Sequence, residues 1–230
     1  MNKRWLITGG LLIVLILGAT QLLSPRSAVS PTLQEATSTS GQSISTPTPP
    51  VITTATVNIT NHSSTSTPKI AVGDNVASWD FVGTYANDPE LITKAQTEIK
   101  RLSGLIGKGT YPDVSLYVGI ANQYELLGKG KQQYEYLDRA IKASGTTGLP
   151  WHNLGVLMER LGALETARIA HKESTLIQPE LKQWHYSYLE FLTTRMKENV
   201  TDIEKEFAAA LKNLGQDADI LRLYSEWKNS

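Results

Sequence analysis

The sequence predicts an all-α protein: an α-solenoid of about three helical hairpins with capping helices, preceded by a single N-terminal transmembrane helix and a disordered linker. Three observations lead there. Composition breaks the 230 residues into an uncharged apolar run, a Ser/Thr/Pro tract and a remainder of mixed composition. Within the remainder, apolar side chains recur at helical spacing rather than alternating. The remainder also superposes on itself after a shift of 34 residues, the mark of a stacked array. The resulting division is a transmembrane signal-anchor at 1–23, a linker at 24–69, an irregular lead-in at 70–87 and a repeat domain at 88–230. Its repeats fall near 114–147, 148–181 and, in degenerate form, 182–215, with a cap over 216–230.

Lys3 and Arg4 precede the uncharged run from Trp5 to Leu23. At about 1.5 Å per residue this run spans about 28 Å as a helix, close to the hydrocarbon thickness of a bilayer. Residues 5–23 are therefore the expected membrane contact. Gly9, Gly10 and Gly18 are tolerated there because backbone in lipid must bond to itself. A cleaved signal peptide is the alternative, with Leu17-Gly18-Ala19 as its processing site; Leu22 and Leu23 continue the apolar run past that site and favour an anchor. Lys3, Arg4 and the terminal amine outweigh Arg26 on the other flank, which puts the N-terminus in the cytoplasm and the remainder outside it. Cleavage would instead secrete the remainder.

Residues 24–69 contain 10 Ser, 11 Thr and 6 Pro, with only Arg26, Glu35 and Lys69 charged. Such a tract cannot bury enough apolar surface to offset its ordering entropy, so a flexible stalk is expected. Asn58-Ile-Thr60 and Asn61-His-Ser63 fit the N-glycosylation triplet, a pattern that a tract this rich in Ser and Thr produces by chance. Over the whole chain 22 basic and 22 acidic side chains cancel. Lys3, Arg4, Arg26 and Lys69 are offset before residue 70 only by Glu35, so 18 basic and 21 acidic side chains remain in residues 70–230. Neither figure gives the basic excess of a nucleic-acid binder, and no nucleic-acid partner is expected. The lack of cysteine excludes disulfides, thiolate metal ligands, cysteine nucleophiles and lipidation at cysteine.

Residues 70–86 alternate too irregularly for a strand, although Val76, Trp79, Phe81 and Val82 suggest a lip against the next element. Asn87-Asp88-Pro89-Glu90 then reads as a helix start, with an Asx cap, proline in the first turn and an acid near the positive end. Leu91, Ala95, Ile99, Leu102 and Ile106 follow at helical spacing, and Gly107 and Gly109 close the segment.

The shift of 34 places Tyr117 on Trp151, Ile120 on Leu154, Ala121 on Gly155, Tyr124 on Met158 and Leu127-Gly128 on Leu161-Gly162. In the second copy, Trp151-x2-Leu154-Gly155-x2-Met158, then Ala167-x3-His171, then Pro179, resembles the tetratricopeptide-repeat signature. Met158 replaces the family's tyrosine, His171 its phenylalanine, and Gln133 the small residue of the first copy. In the third copy Tyr188 and Leu192 keep register, but Leu189 takes the small-residue position. The second helix there, with Phe207, Ala210 and Leu211, aligns only after an insertion of about two residues. The resemblance covers about 100 residues and implies a fold rather than an activity. Helix packing gives the same expectation independently. Ala121, Gly155 and Ala167 let helices approach closely, while Trp151, Leu154, Met158 and Leu161 form a stripe that one hairpin cannot cover. Stacked hairpins can, provided the ends are capped, here by the helix from Asp88 and by Asp217–Lys228 with Leu221, Tyr224 and Trp227 facing inward.

Motifs of chemistry are sparse. Gly128-Lys129-Gly130-Lys131 lacks the spacing of a phosphate loop and reads as a turn between helices. His171 occupies a packing position and is expected to be partly buried and hydrogen-bonded. His152 and His185 fall near equivalent positions of neighbouring repeats without an evident third ligand, so no metal or cofactor is expected. In the resembled family, first helices of successive repeats line a concave peptide surface. The resemblance carries this to Asn122 and Glu125, to His152, Asn153, Val156 and Glu159, and to Tyr186 and Glu190. His152, Val156 and Glu159 also share a stripe by their spacing of four and three. That set is acidic and polar and lacks a basic pair to clamp a terminal carboxylate, so a neutral or basic protein or peptide partner is expected.

The function expected is a non-catalytic interaction or scaffold module, displayed outside the cytoplasmic membrane on a flexible stalk. One alternative is a structural subunit of an envelope complex, using an apolar patch on its outer face. Another is an exported hydrolase of cell-wall material, which requires His152, His171, Glu159 and Glu165 to converge.

Overall fold

The computed structural model describes residues 68–230, and the regular elements there are eight helices with no strand. They are α1 Pro89–Ser103, α2 Asp113–Leu126, α3 Gly130–Ala143, α4 Leu149–Arg160, α5 Leu164–Ile177, α6 Lys182–Arg195, α7 Val200–Leu214 and α8 Ala218–Lys228. Each helix packs mainly on its neighbours in the chain, with α2–α3 and α4–α5 the closest pairs and α8 resting on both α6 and α7. This all-α arrangement is consistent with a helical solenoid. The expected anchor, and the expected linker apart from Pro68 and Lys69, lie outside the described residues. Among those described, no helix is long and apolar enough to cross a membrane.

Local chemistry accounts for the helix ends. The Asp88 carboxylate accepts the Glu90 and Leu91 N–H groups at 3.0 Å, and Pro89 opens α1. The helix stops at Ser103, before the apolar spacing through Ile106 is exhausted, because the chain turns at Gly104 and then needs positive φ at Gly107 (71°) and Gly109 (72°). The turn joining α2 to α3 contains Gly128 at φ 70°, as its Gly-Lys-Gly-Lys sequence anticipates, and Gly162 repeats the geometry between α4 and α5 at φ 77°.

One continuous core runs along the stack. Ala121, Leu137, Leu154, Met158, Ala167 and Phe207 are each at most 1% exposed. Burial of each large member contributes about 1.5–3 kcal/mol. Within this core α4 and α5 meet closely at Gly155, where a Cβ would lie 2.7–2.8 Å from three atoms of the His171 ring. Gln133, the departure from a small residue in the first hairpin, is also buried, and its Oε1 has no partner.

Two packing expectations are corrected. At the trailing end Ile220 and Leu223 are the buried residues of α8, while Leu221 is 37% exposed. Tyr224 and Trp227 do turn inward, against Phe207 at ring separations of 5.0 and 5.7 Å. At the leading end, the lip expected against the next element packs elsewhere. Val76, Trp79 and Phe81 rest on the core of the later hairpins, and Val82 is 86% exposed. The reason is main-chain bonding. Phe81 and Tyr85 donate their N–H groups to the Gly128 and Leu126 carbonyls, and Gly130 donates to the Trp79 carbonyl, which draws the segment onto the turn between α2 and α3.

Candidate functional site

The eight residues expected on the inner face occupy the first helices of successive hairpins: Asn122 and Glu125 on α2; His152, Asn153, Val156 and Glu159 on α4; Tyr186 and Glu190 on α6. Asn122 and Glu190 are exposed, and the other six are half-buried. The face is stitched across hairpins. Asn153 Nδ2 donates to Asn122 Oδ1 at 3.2 Å, the Arg160 guanidinium meets Glu125 at 3.0 Å, and Arg195 meets Glu159 at 3.5 Å. Each of these first-helix carboxylates is thus matched by the arginine ending the next first helix, where the cation also favours the negative end of the helix dipole. At the last hairpin α8 supplies the neighbour, with Lys182 bonded to Asp219 at 2.7 Å and Arg222 beside Tyr186.

The expected acidity of this face is therefore largely neutralised. Glu125 and Glu159 are paired, and Glu190 alone of the three glutamates has no ion-pair partner among the described residues. Burial raises the Glu159 carboxyl above its usual range; Arg195 opposes this and Glu190 adds to it. Arg160 and Arg195 went unrecognised in the sequence. Their signal was present as separations of 35 and 36 residues from Glu125 and Glu159, one repeat plus one or two positions. Phe81, whose ring lies 4.7 Å from the Arg160 guanidinium, carried no such signal.

The histidines fall into a different arrangement from the one expected. His152 lies beside His171, at 5.5 Å between ring centroids, and beside Trp184 at 4.8 Å. His185 is separately engaged, with Nε2 at 2.9 Å from the Pro179 carbonyl. His171, expected to be partly buried and satisfied, is 1% exposed, and neither ring nitrogen has a hydrogen-bond partner. Phe191 and Tyr188 cover its other sides at 5.2 and 6.4 Å. Desolvation lowers the pKa of His152 to about 4, and desolvation followed by repulsion from His152 lowers that of His171 to about 3. Both imidazoles are neutral packing groups at neutral pH. Of the four groups a hydrolase would need, Glu165 is committed to Arg168 at 2.6 Å and Glu159 to Arg195, while His152 and His171 lie against each other. Among the described residues, no group of three or more His, Asp or Glu side chains is placed to hold a metal ion.

A cavity of about 550 Å³ opens between α1, α2 and α3, lined by Ile92, Ile99, Tyr124, Leu127 and Lys129 among others, and none of the eight inner-face residues borders it. No protein-family model, curated protein or solved structure matches this chain. Among the described residues the arrangement is all-helical and consistent with a helical solenoid.

Proposed function

We propose that the chain is a non-catalytic interaction module. In this reading it is a membrane-anchored, tetratricopeptide-like stack that binds an extended protein or peptide segment along the first-helix face, outside the cytoplasmic membrane. The observation that carries it is the stitched face: Asn122–Asn153, Glu125–Arg160 and Glu159–Arg195 hold three consecutive first helices in register. That leaves a pre-ordered row of amide and carboxylate groups, with Glu190 free to meet a cation. Pre-ordering lowers the cost of binding an extended segment. Pro68, the first described residue, is bonded through its carbonyl to the Tyr134 hydroxyl of α3, a second helix.

A photo-crosslinker at Asn122 or Glu190, compared with one at Ile169 or Leu176, tests this in intact membranes. Adducts to one protein from the inner positions, weakened by Glu190→Lys, are expected. A second reading, a structural subunit of an envelope complex, draws on Ile169 and Leu176, each 39% exposed and two turns apart on α5. Adducts from those outer positions alone would overturn the first reading in favour of the second.

A further inference from the structure

The lead-in satisfies a need that the second helices cannot meet themselves. Neither α3 nor α5 has a side-chain cap of its own, since their N-cap residues are Lys129 and Ala163. The leading N–H groups of an α-helix have no partner within it. Some of these groups in each helix are met from the same distant segment. Gly130 N–H donates to the Trp79 carbonyl at 3.0 Å. At α5, the Asp74 carboxylate accepts the Thr166 N–H at 2.6 Å, the Thr166 hydroxyl at 2.6 Å and the Glu165 N–H at 3.3 Å. Burial pushes the Asp74 carboxyl up, but these three bonds outweigh it and hold the pKa below its usual value.

The segment is docked along its length by hydrogen bonds as well as by Val76, Trp79 and Phe81, which are only half-buried against the core. Ala71 N–H reaches the Thr166 hydroxyl at 2.9 Å, and the Tyr134 hydroxyl reaches the Pro68 carbonyl at 2.6 Å. Its backbone crosses the α2–α3 turn so closely that a Cβ at Gly83 would lie 2.3 Å from the Leu126 carbonyl oxygen. A Cβ at Gly128 would lie 2.0 Å from that of Phe81. Between these fastenings the outer side is open, with Val72 and Val82 fully or mostly exposed. Trp79 lies edge-on to Tyr134 at 5.3 Å, and Phe81 rests under Arg160, the residue that pairs with Glu125 on the inner face. A segment held by a few part-buried hydrogen bonds and half-buried side chains opens at lower free energy than the buried faces of the helices it lies on.

We propose that residues 68–85 are a strap that opens as one unit below global unfolding: docked, it caps α3 and α5 and steadies Arg160 against Glu125; released, it frees both helix ends and that arginine together. A pull on the N-terminal segment would enter at Pro68 and be transmitted to the inner face. That last step rests on the proposed inner-face function, whereas the opening itself does not.

Native-state hydrogen exchange of the full chain tests the opening without any partner. Amides of Phe81, Tyr85, Gly130, Glu165 and Thr166 are expected to exchange by one common opening, at least tenfold faster than the amides of Leu154 and Met158. Removing a hydrogen bond to a charged group shifts such an equilibrium towards the open state by about tenfold or more. Asp74→Ala should therefore raise exchange at least tenfold, and it should do so at Phe81 and Gly130 as well as at Glu165 and Thr166. Asp74→Asn keeps one acceptor oxygen, and Tyr134→Phe loosens the strap from its other fastening; both should move the same amides by a smaller factor if Asp74→Ala does not fold. Acceleration confined to Glu165 and Thr166 would reduce the contact to a local cap and overturn the proposal. Strap amides as slow as the core amides would overturn it as well. Loss of crosslinking at Asn122 or Glu190 with the exchange pattern intact would count against the inner-face function and leave the strap standing.

Discussion

Acid is expected to destabilise this domain through one buried side chain. His171 packs among Gly155, His152, Tyr188 and Phe191 with both ring nitrogens unpartnered, and its folded pKa is lowered to about 3 against an ordinary 6.5. Because the folded value lies below the unfolded one, the unfolded chain binds the proton first. Stability is then intact above about pH 6.5 and falls as the pH drops through the window down to about 3, by roughly 1.4 kcal/mol per pH unit. At pH 5 the loss from His171 is about 2 kcal/mol. His152, whose pKa is lowered to about 4 but which is only half-buried, adds a smaller loss of the same sign. Urea unfolding of the full chain at pH 8 and pH 5, followed by helical circular dichroism, measures this. His171→Phe keeps an aromatic ring at the position and removes the titration, while the surface carboxylates are common to both proteins and cancel. The wild type should lose about 2 kcal/mol more than the variant between the two pH values. An identical pH response in the two proteins would refute the claim that His171 is buried uncharged.

Three further outcomes follow from particular contacts. Gly155→Ala places a Cβ within 2.8 Å of the buried His171 ring and should cost about 1–3 kcal/mol in thermal unfolding. Adding His171→Ala opens that space, and the second Gly155→Ala penalty should then nearly vanish. A double-mutant cycle on Glu125 and Arg160, whose side chains are 27% and 41% exposed, should give a coupling below about 1 kcal/mol, because a pair this accessible is screened by solvent. A coupling above about 2 kcal/mol would show that the inner face is held by charge rather than by its core. Glu190→Lys, at an exposed and unpaired position, should leave stability within about 0.5 kcal/mol while changing inner-face crosslinking; a large drop in melting temperature would mean that Glu190 has a structural role.

Much of this fold was legible in the chain because helix formation is governed by neighbours three and four residues away. Asp88 was readable as a cap, and it accepts the expected N–H groups. Gly128 was readable as a turn residue, and it adopts the left-handed conformation a turn requires. Where the reading missed, the deciding contact was distant. Leu221 had the right spacing for the buried face of α8, but the face of α8 that rests on α6 and α7 buries Ile220 and Leu223 instead. His171 was read as a satisfied histidine, yet its neighbours come from α4 and α6 and bring it aromatic rings rather than acceptors.

The candidate inner face divides along the same line. Sequence register named residues on the first helices, and those residues share three consecutive first helices. Register could not say that Glu125 and Glu159 would be neutralised, because an ion pair across hairpins depends on the rise and rotation between them, which no local pattern encodes. The sequence by itself determined helices, turns and the residues able to make a core, since these follow from periodicity and backbone propensity. Tertiary structure alone decided the charge pairing of the inner face, the isolation of two imidazoles and the course of residues 68–85. The last is the least legible of all, because the strap is fastened largely through main-chain N–H and carbonyl groups, which every residue but proline carries alike.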